Sequence, residues 1–148
     1  MKVIHGLAAI AMCMILGQNA FASKFPLAGE YKCTVVDSHD GAYTHPLTLI
    51  PDVKASEPER NFEAYTFTSG PDRGYAAAQG DAYGFYFLGI DEKNPEVSTN
   101  FGVGIVTVSY DPDINGKAQI TLHSSYYQPE YNRDKNGGRG FGSCKKIK

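Results

Sequence analysis

The stretch "GIVTVSYDPDINGKAQITLH" (residues 104–123) reads as two strands and the turn that joins them. Val106, Val108 and Tyr110 share one face of an alternating run, and Ala118, Ile120 and Leu122 share one face of the next. Asn115-Gly116 between them is a hairpin turn signal. Immediately upstream, Val97, Thr99, Phe101 and Val103 occupy the odd-numbered face, whereas Val106 to Tyr110 occupy the even one. A change of phase in a continuous run needs one extra residue, so a β-bulge is expected at Gly102 and Gly104.

The same two-residue period recurs on both sides of this unit. Tyr31, Cys33 and Val35 alternate with Glu30, Lys32 and Thr34, and Leu47 and Leu49 flank Thr48. "NFEAYTFTS" (61–69) sets Tyr65 and Phe67 against Thr66 and Thr68, and "AYGFYFLG" (82–89) puts Tyr83, Phe85 and Phe87 on one face. The runs fall at 29–36, 45–50, 61–69, 73–79, 82–89, 97–103, 104–111, 117–125 and 138–147. No long stretch after the first residues has helical spacing. An all-β, single-domain antiparallel meander of about eight strands follows.

Two cysteines tie its ends. Cys33 lies in the first run and Cys144 in the last, and a disulfide between them would close almost the whole chain, worth about 4 to 5 kcal/mol of loop entropy. An open meander leaves two unpaired edges, which such a bond brings together. The reading is therefore a closed or nearly closed β-barrel, with a β-sandwich as the alternative.

The first residues explain why the disulfide can form. Lys2, an apolar run from Leu7 to Leu16, and Ala20 and Ala22 around Phe21 lay out a secretory signal cleaved after Ala22. Residues 1–22 are thus read as the leader and 23–148 as the single domain, periplasmic or secreted. The apolar run is too short to span a membrane, so no span is expected in the mature chain. Formal net charge is −2 over 148 residues, which gives no field for nucleic acid.

Chemistry-bearing motifs are sparse. "DPDINGK" offers Asp111, Asp113 and Asn115 at calcium-loop spacing, but the twelfth position, where a bidentate Glu belongs, is Leu122. An acidic hairpin tip is the preferred reading, calcium the alternative, and otherwise no cofactor is expected. "DSHDGAYTH" gathers Asp37, His39, Asp40 and His45, the basis of a less favoured hydrolase or metal-binding reading. No nucleophile elbow, phosphate loop or dinucleotide fingerprint occurs, and binding is favoured over catalysis.

Ten tyrosines, eight phenylalanines and no tryptophan make the aromatic load the more informative feature. Tyr65, Phe67, Tyr83, Phe85 and Phe87 are the interior candidates, with Tyr75, Phe101 and Tyr110 expected on the same inward side. Ala76, Ala77, Ala78, Gly80 and Gly84 beside them would either let rings pack closely or leave a pocket for a small apolar ligand. The segment 126–140, read as a loop, presents Tyr126, Tyr127, Tyr131, Arg133 and Arg139, residue types suited to a protein partner outside the cytoplasm.

Two family resemblances bear on that choice. Gly29-Glu30-Tyr31 resembles the glycine-x-tryptophan start of lipocalin-like barrels, with tyrosine replacing the tryptophan; the resemblance implies an apolar ligand. "YKC" early, "TSGPDRGY" at 68–75 and a cysteine near the end are together similar to periplasmic lysozyme inhibitors, which implies inhibition of an enzyme. Their serine-rich loop is interrupted here by Pro71 and Asp72. Each resemblance covers only a few residues.

Overall fold

The computed structural model describes residues 25–91, 93–131 and 137–148. Among them the chain forms eight antiparallel strands: β1 (Gly29–Asp37), β2 (Gly41–Pro51), β3 (Phe62–Ser69), β4 (Asp72–Gln79), β5 (Ala82–Asp91), β6 (Asn94–Pro112), β7 (Ala118–Glu130) and β8 (Gly138–Lys146). Each pairs with its neighbour in sequence, and β8 returns to β1, closing the barrel. One 3-10 turn, Pro58–Arg60, interrupts the β2–β3 connection. No helix among the described residues is long and apolar enough to cross a membrane.

The seam is covalent. Cys33 and Cys144 are direct cross-strand partners on β1 and β8, with Cα atoms 3.9 Å apart and the disulfide formed between them. Closure removes both edges, and the bond then limits how far the unfolded chain can expand.

The central hairpin turns where the Asn-Gly pair stands. Gly116 takes a left-handed φ of 77° and donates its N–H to Asp113 O, while Asp113 Oδ1 accepts the N–H groups of Asn115 and Lys117, both at 2.8 Å. Those donors hold the Asp113 carboxyl below the usual carboxylate range.

Three expectations need correction. The runs at 97–103 and 104–111 are one strand, β6, and it does not change face at Gly102 or Gly104. Gly102, Gly104, Val106 and Val108 all turn inward, while Phe101, Val103 and Ile105 turn outward, 47%, 50% and 65% exposed. A register shift does lie beside Gly102, between Phe101↔Glu130 and Val103↔Tyr127, but the surplus residue belongs to β7. The surplus residues of β6 lie nearer its start, Thr99 between Gly89↔Asn100 and Ile90↔Ser98 and residues 95–97 between Ile90↔Ser98 and Asp91↔Asn94. Tyr75 also faces out, because β4 gives its inward positions to Gly74, Ala76 and Ala78. Tyr110 stays on the inward phase but ends half exposed at the barrel's base.

The core fills only part of the interior. Phe25, Leu27, Tyr31, Cys33, Leu49, Tyr65, Phe67 and Leu122 are buried together. Residues 25–28 fold under the barrel as a floor: Phe25 meets Tyr65 edge to face at 6.0 Å, and the Tyr31 hydroxyl donates to Leu27 O at 2.6 Å. Lys146 Nζ donates to Pro26 O at 2.9 Å and fastens the same segment to β8.

Candidate functional site

Above that floor lies a cavity of about 430 Å³. Its depth is apolar, lined by Leu47, Leu49, Phe67, Phe85, Phe87 and Val106. Its rim is polar, with Asp37, Asp40, Tyr43, His45, Ser69 and Asp72 at the opposite end of the barrel from the floor.

Cross-strand pairing keeps it open. Phe67 pairs with Gly74, Phe85 with Gly104, Phe87 with Gly102, and Tyr126 with Gly140. In every case the ring lies on its partner: a methyl placed on the glycine would stand 2.4 Å from a ring carbon at Gly74, Gly102, Gly104 and Gly140 alike. An aromatic side chain opposite a glycine lies flat along the wall, where one opposite a bulky partner would project into the lumen. Ala76 and Ala78 leave the β4 wall low as well. The interior is thus paved with rings and stays hollow.

The rim is a hydrogen-bonded ring of acids and phenols. Asp37 is 6% exposed; its Oδ1 accepts the N–H of His39 at 2.7 Å and its Oδ2 accepts the Tyr126 hydroxyl at 2.6 Å. Burial and donation to Asp37 push the Tyr126 phenol well above its ordinary range. Tyr131 donates to Asp40 Oδ2 at 2.5 Å and stacks on His39 at 4.5 Å, and burial likewise raises its phenol. His39 Nε2 lies 2.7 Å from Gly137 O, which pins the β1–β2 turn to the start of β8. Burial pushes the Asp72 carboxyl up to about 6, only partly offset by the Arg73 guanidinium. Burial raises the Tyr43 phenol too, and all three carboxylates, Asp37, Asp72 and Asp40, add to that rise.

The sequence-derived residues divide clearly. Tyr65, Phe67, Tyr83, Phe85 and Phe87 all line the cavity. The segment from Tyr126 is not a loop at its start, since β7 runs to Glu130. Tyr126 points inward from β7 and donates to Asp37, and Tyr131, just past the end of β7, lines the mouth and donates to Asp40. Tyr127 and Arg139 face outward on β7 and β8, Tyr127 beside the half-exposed Val103 to which it is paired. Arg133, with the rest of 132–136, lies outside the described residues, as do residues 1–22, the expected leader. Asp111 accepts the Ser109 hydroxyl and Asp113 caps its turn, and among the described residues no group of three His, Cys, Asp or Glu side chains could hold a metal ion.

Of the early cluster, Asp37, Asp40 and His45 converge on the mouth, while His39 is spent on the rim. Ser69 Oγ lies 2.6 Å from His45 Nδ1, but among the described residues no carboxylate bonds the ring's Nε2, so the orienting third member of a nucleophilic triad is not formed. Asp72, Tyr43, Ser69 and Gln128 escaped sequence reading as site residues. Inward phasing of Gly74, Ala76 and Ala78 would have found Asp72 on the same face. Against protein-family models, curated proteins and solved structures, the chain finds no match.

Proposed function

We propose that this protein is an exported, non-catalytic carrier or receptor that encloses one small, largely apolar molecule in its barrel. An eight-stranded barrel either fills with side chains or holds a single ligand, and ligand pockets run from roughly 300 to 1,000 Å³. The observation that carries the reading is the open volume of about 430 Å³ kept by rings lying on glycines. A disulfide-closed barrel without exposed edges suits a periplasmic or secreted carrier. Apolar burial would drive binding at about 25 cal/mol per Å², and the polar rim would orient the bound molecule.

The test is titration with the neutral fluorophore N-phenyl-1-naphthylamine. One molecule should bind per chain, with a fluorescence rise. Ala76→Leu, which adds bulk to the lumen from β4, should weaken it about tenfold or more while the thermal midpoint holds. Absence of binding, or an unchanged affinity in Ala76→Leu, overturns the reading.

A second reading, capture of an extracytoplasmic protein such as an enzyme to be inhibited, is favoured by the outer face. Tyr75, Tyr86, Val103 and Tyr127 form one cross-strand row there, each about half exposed. Such a partner would be indifferent to Ala76→Leu.

A further inference from the structure

We propose that the ligand is an amphipathic amine: an apolar body in the depth of the barrel and a protonated amine or ammonium head at the rim, beside Asp72 and within reach of Asp40 and Asp37. This rests on the carrier reading and adds the charge of the bound molecule.

Three aspartates line the cavity, and among the described residues no lysine or arginine does. The nearest cation in sequence, Arg73, turns its guanidinium to the carbonyls of Gly70 and Asp72, at 3.2 and 3.1 Å, on the outer side. Asp37 and Asp40 are already hydrogen-bonded, to backbone N–H groups and Tyr126 and to Tyr131 respectively. Among the described residues the Asp72 carboxylate receives no such bond, and burial disfavours its charge. A cation placed beside it would supply the partner that the fold withholds.

A second observation points to a donor independently of the acids. Gln128, 5% exposed and lining the same cavity, has its Oε1 buried without a hydrogen-bond partner. That oxygen lies by Gly138, and once the side chain turns to the lumen it asks the ligand for a donor, N–H or O–H, which a carboxylate or ether head lacks. The rings of Tyr43 and Tyr126, which line the same mouth, add aromatic surface beside an ammonium group held there. An anionic head would meet three carboxylates, with no lysine or arginine lining the cavity among the described residues.

The experiment uses three probes of one length, decylamine, decan-1-ol and decanoate, titrated calorimetrically below their aggregation limits into the disulfide-bonded mature protein at pH 7.5. Decylamine should bind about tenfold or more tighter than decanol, and decanoate weaker than decanol. In Asp72→Asn the amine-to-alcohol affinity ratio should fall about fivefold or more, with a native circular-dichroism spectrum showing that the variant is folded. If decanol or decanoate binds as well as the amine, or the ratio survives Asp72→Asn, the charge assignment is overturned and the carrier reading stands. If none of the three binds, the carrier reading falls first.

Discussion

The two ends of this barrel are closed by opposite means. At the floor, Phe25, Leu27, Tyr31 and Tyr65 bury one another, and the polar atoms there are satisfied locally, Tyr31 by Leu27 O and Lys146 by Pro26 O. At the rim, acids are held by donors, Asp37 by Tyr126 and His39 and Asp40 by Tyr131. Apolar packing tolerates no opening, because each void costs contacts that nothing replaces. A polar ring tolerates one, because water or a ligand can stand in for any missing partner. The floor is therefore the structural end and the rim the working end, and substitutions should have different signatures at each.

The largest effect belongs to the floor. Phe25→Ala removes a ring that is 5% exposed and packed on Tyr65, and should lower unfolding free energy by about 3 kcal/mol in urea denaturation. If it costs no more than an exposed substitution, the chain below Gly29 is not part of the closed core. The wall between the two ends should respond less. Gly102→Ala puts a methyl where Phe87 lies, and its nearest contacts are side chains, Phe87 at 2.4 Å and Gln128 Cγ at 3.0 Å. Phe87 can yield by swinging into the cavity, so the stability cost should be about 1 kcal/mol while ligand affinity falls steeply. Equal losses in both would mean that the ring cannot move and that the lumen is not reached from this wall.

Much of the wall was legible from alternation alone, and its failures have a common cause. Tyr65, Phe67, Tyr83, Phe85 and Phe87 sit in unbroken period-two runs with polar neighbours, which fix their face. Glycine carries no polarity, so the phase of β6 was lost at Gly102 and Gly104, and Phe101 was assigned to the wrong side. The bulge expected on this strand at Gly102 and Gly104 followed from that lost phase; the surplus residue there is on β7, and which strand holds it depends on register with β5 and β7, which one strand's pattern does not encode. The same limit hid the hollow interior. Phe85 and Gly104 are 19 positions apart in sequence, and only pairing shows that one lies on the other. Tyr126 looked like loop because tyrosine, charge and the glycines from 137 onward are mixed in the segment 126–140, whereas β7 continues past its bulge to Glu130.

The smallest and most specific effect is a pH slope at the rim. Asp72 has a folded-state value of about 6 against an unfolded value of 3.8, raised by burial, with Arg73 opposing and Tyr43 facing it across the mouth. Between those two values the folded chain holds a proton that the unfolded chain releases, so this group's contribution to stability is complete below about pH 4 and declines as pH rises through 6. The urea midpoint of the native protein relative to Asp72→Asn should therefore fall between pH 4 and pH 7.5, since the amide is neutral throughout. No comparable slope should separate Phe25→Ala from the native protein, because Phe25 does not titrate. A flat difference for Asp72→Asn would mean that the carboxylate is as well solvated in the fold as outside it, and the contrast between a dry floor and an acid-lined mouth would then have to be drawn from Asp37 alone.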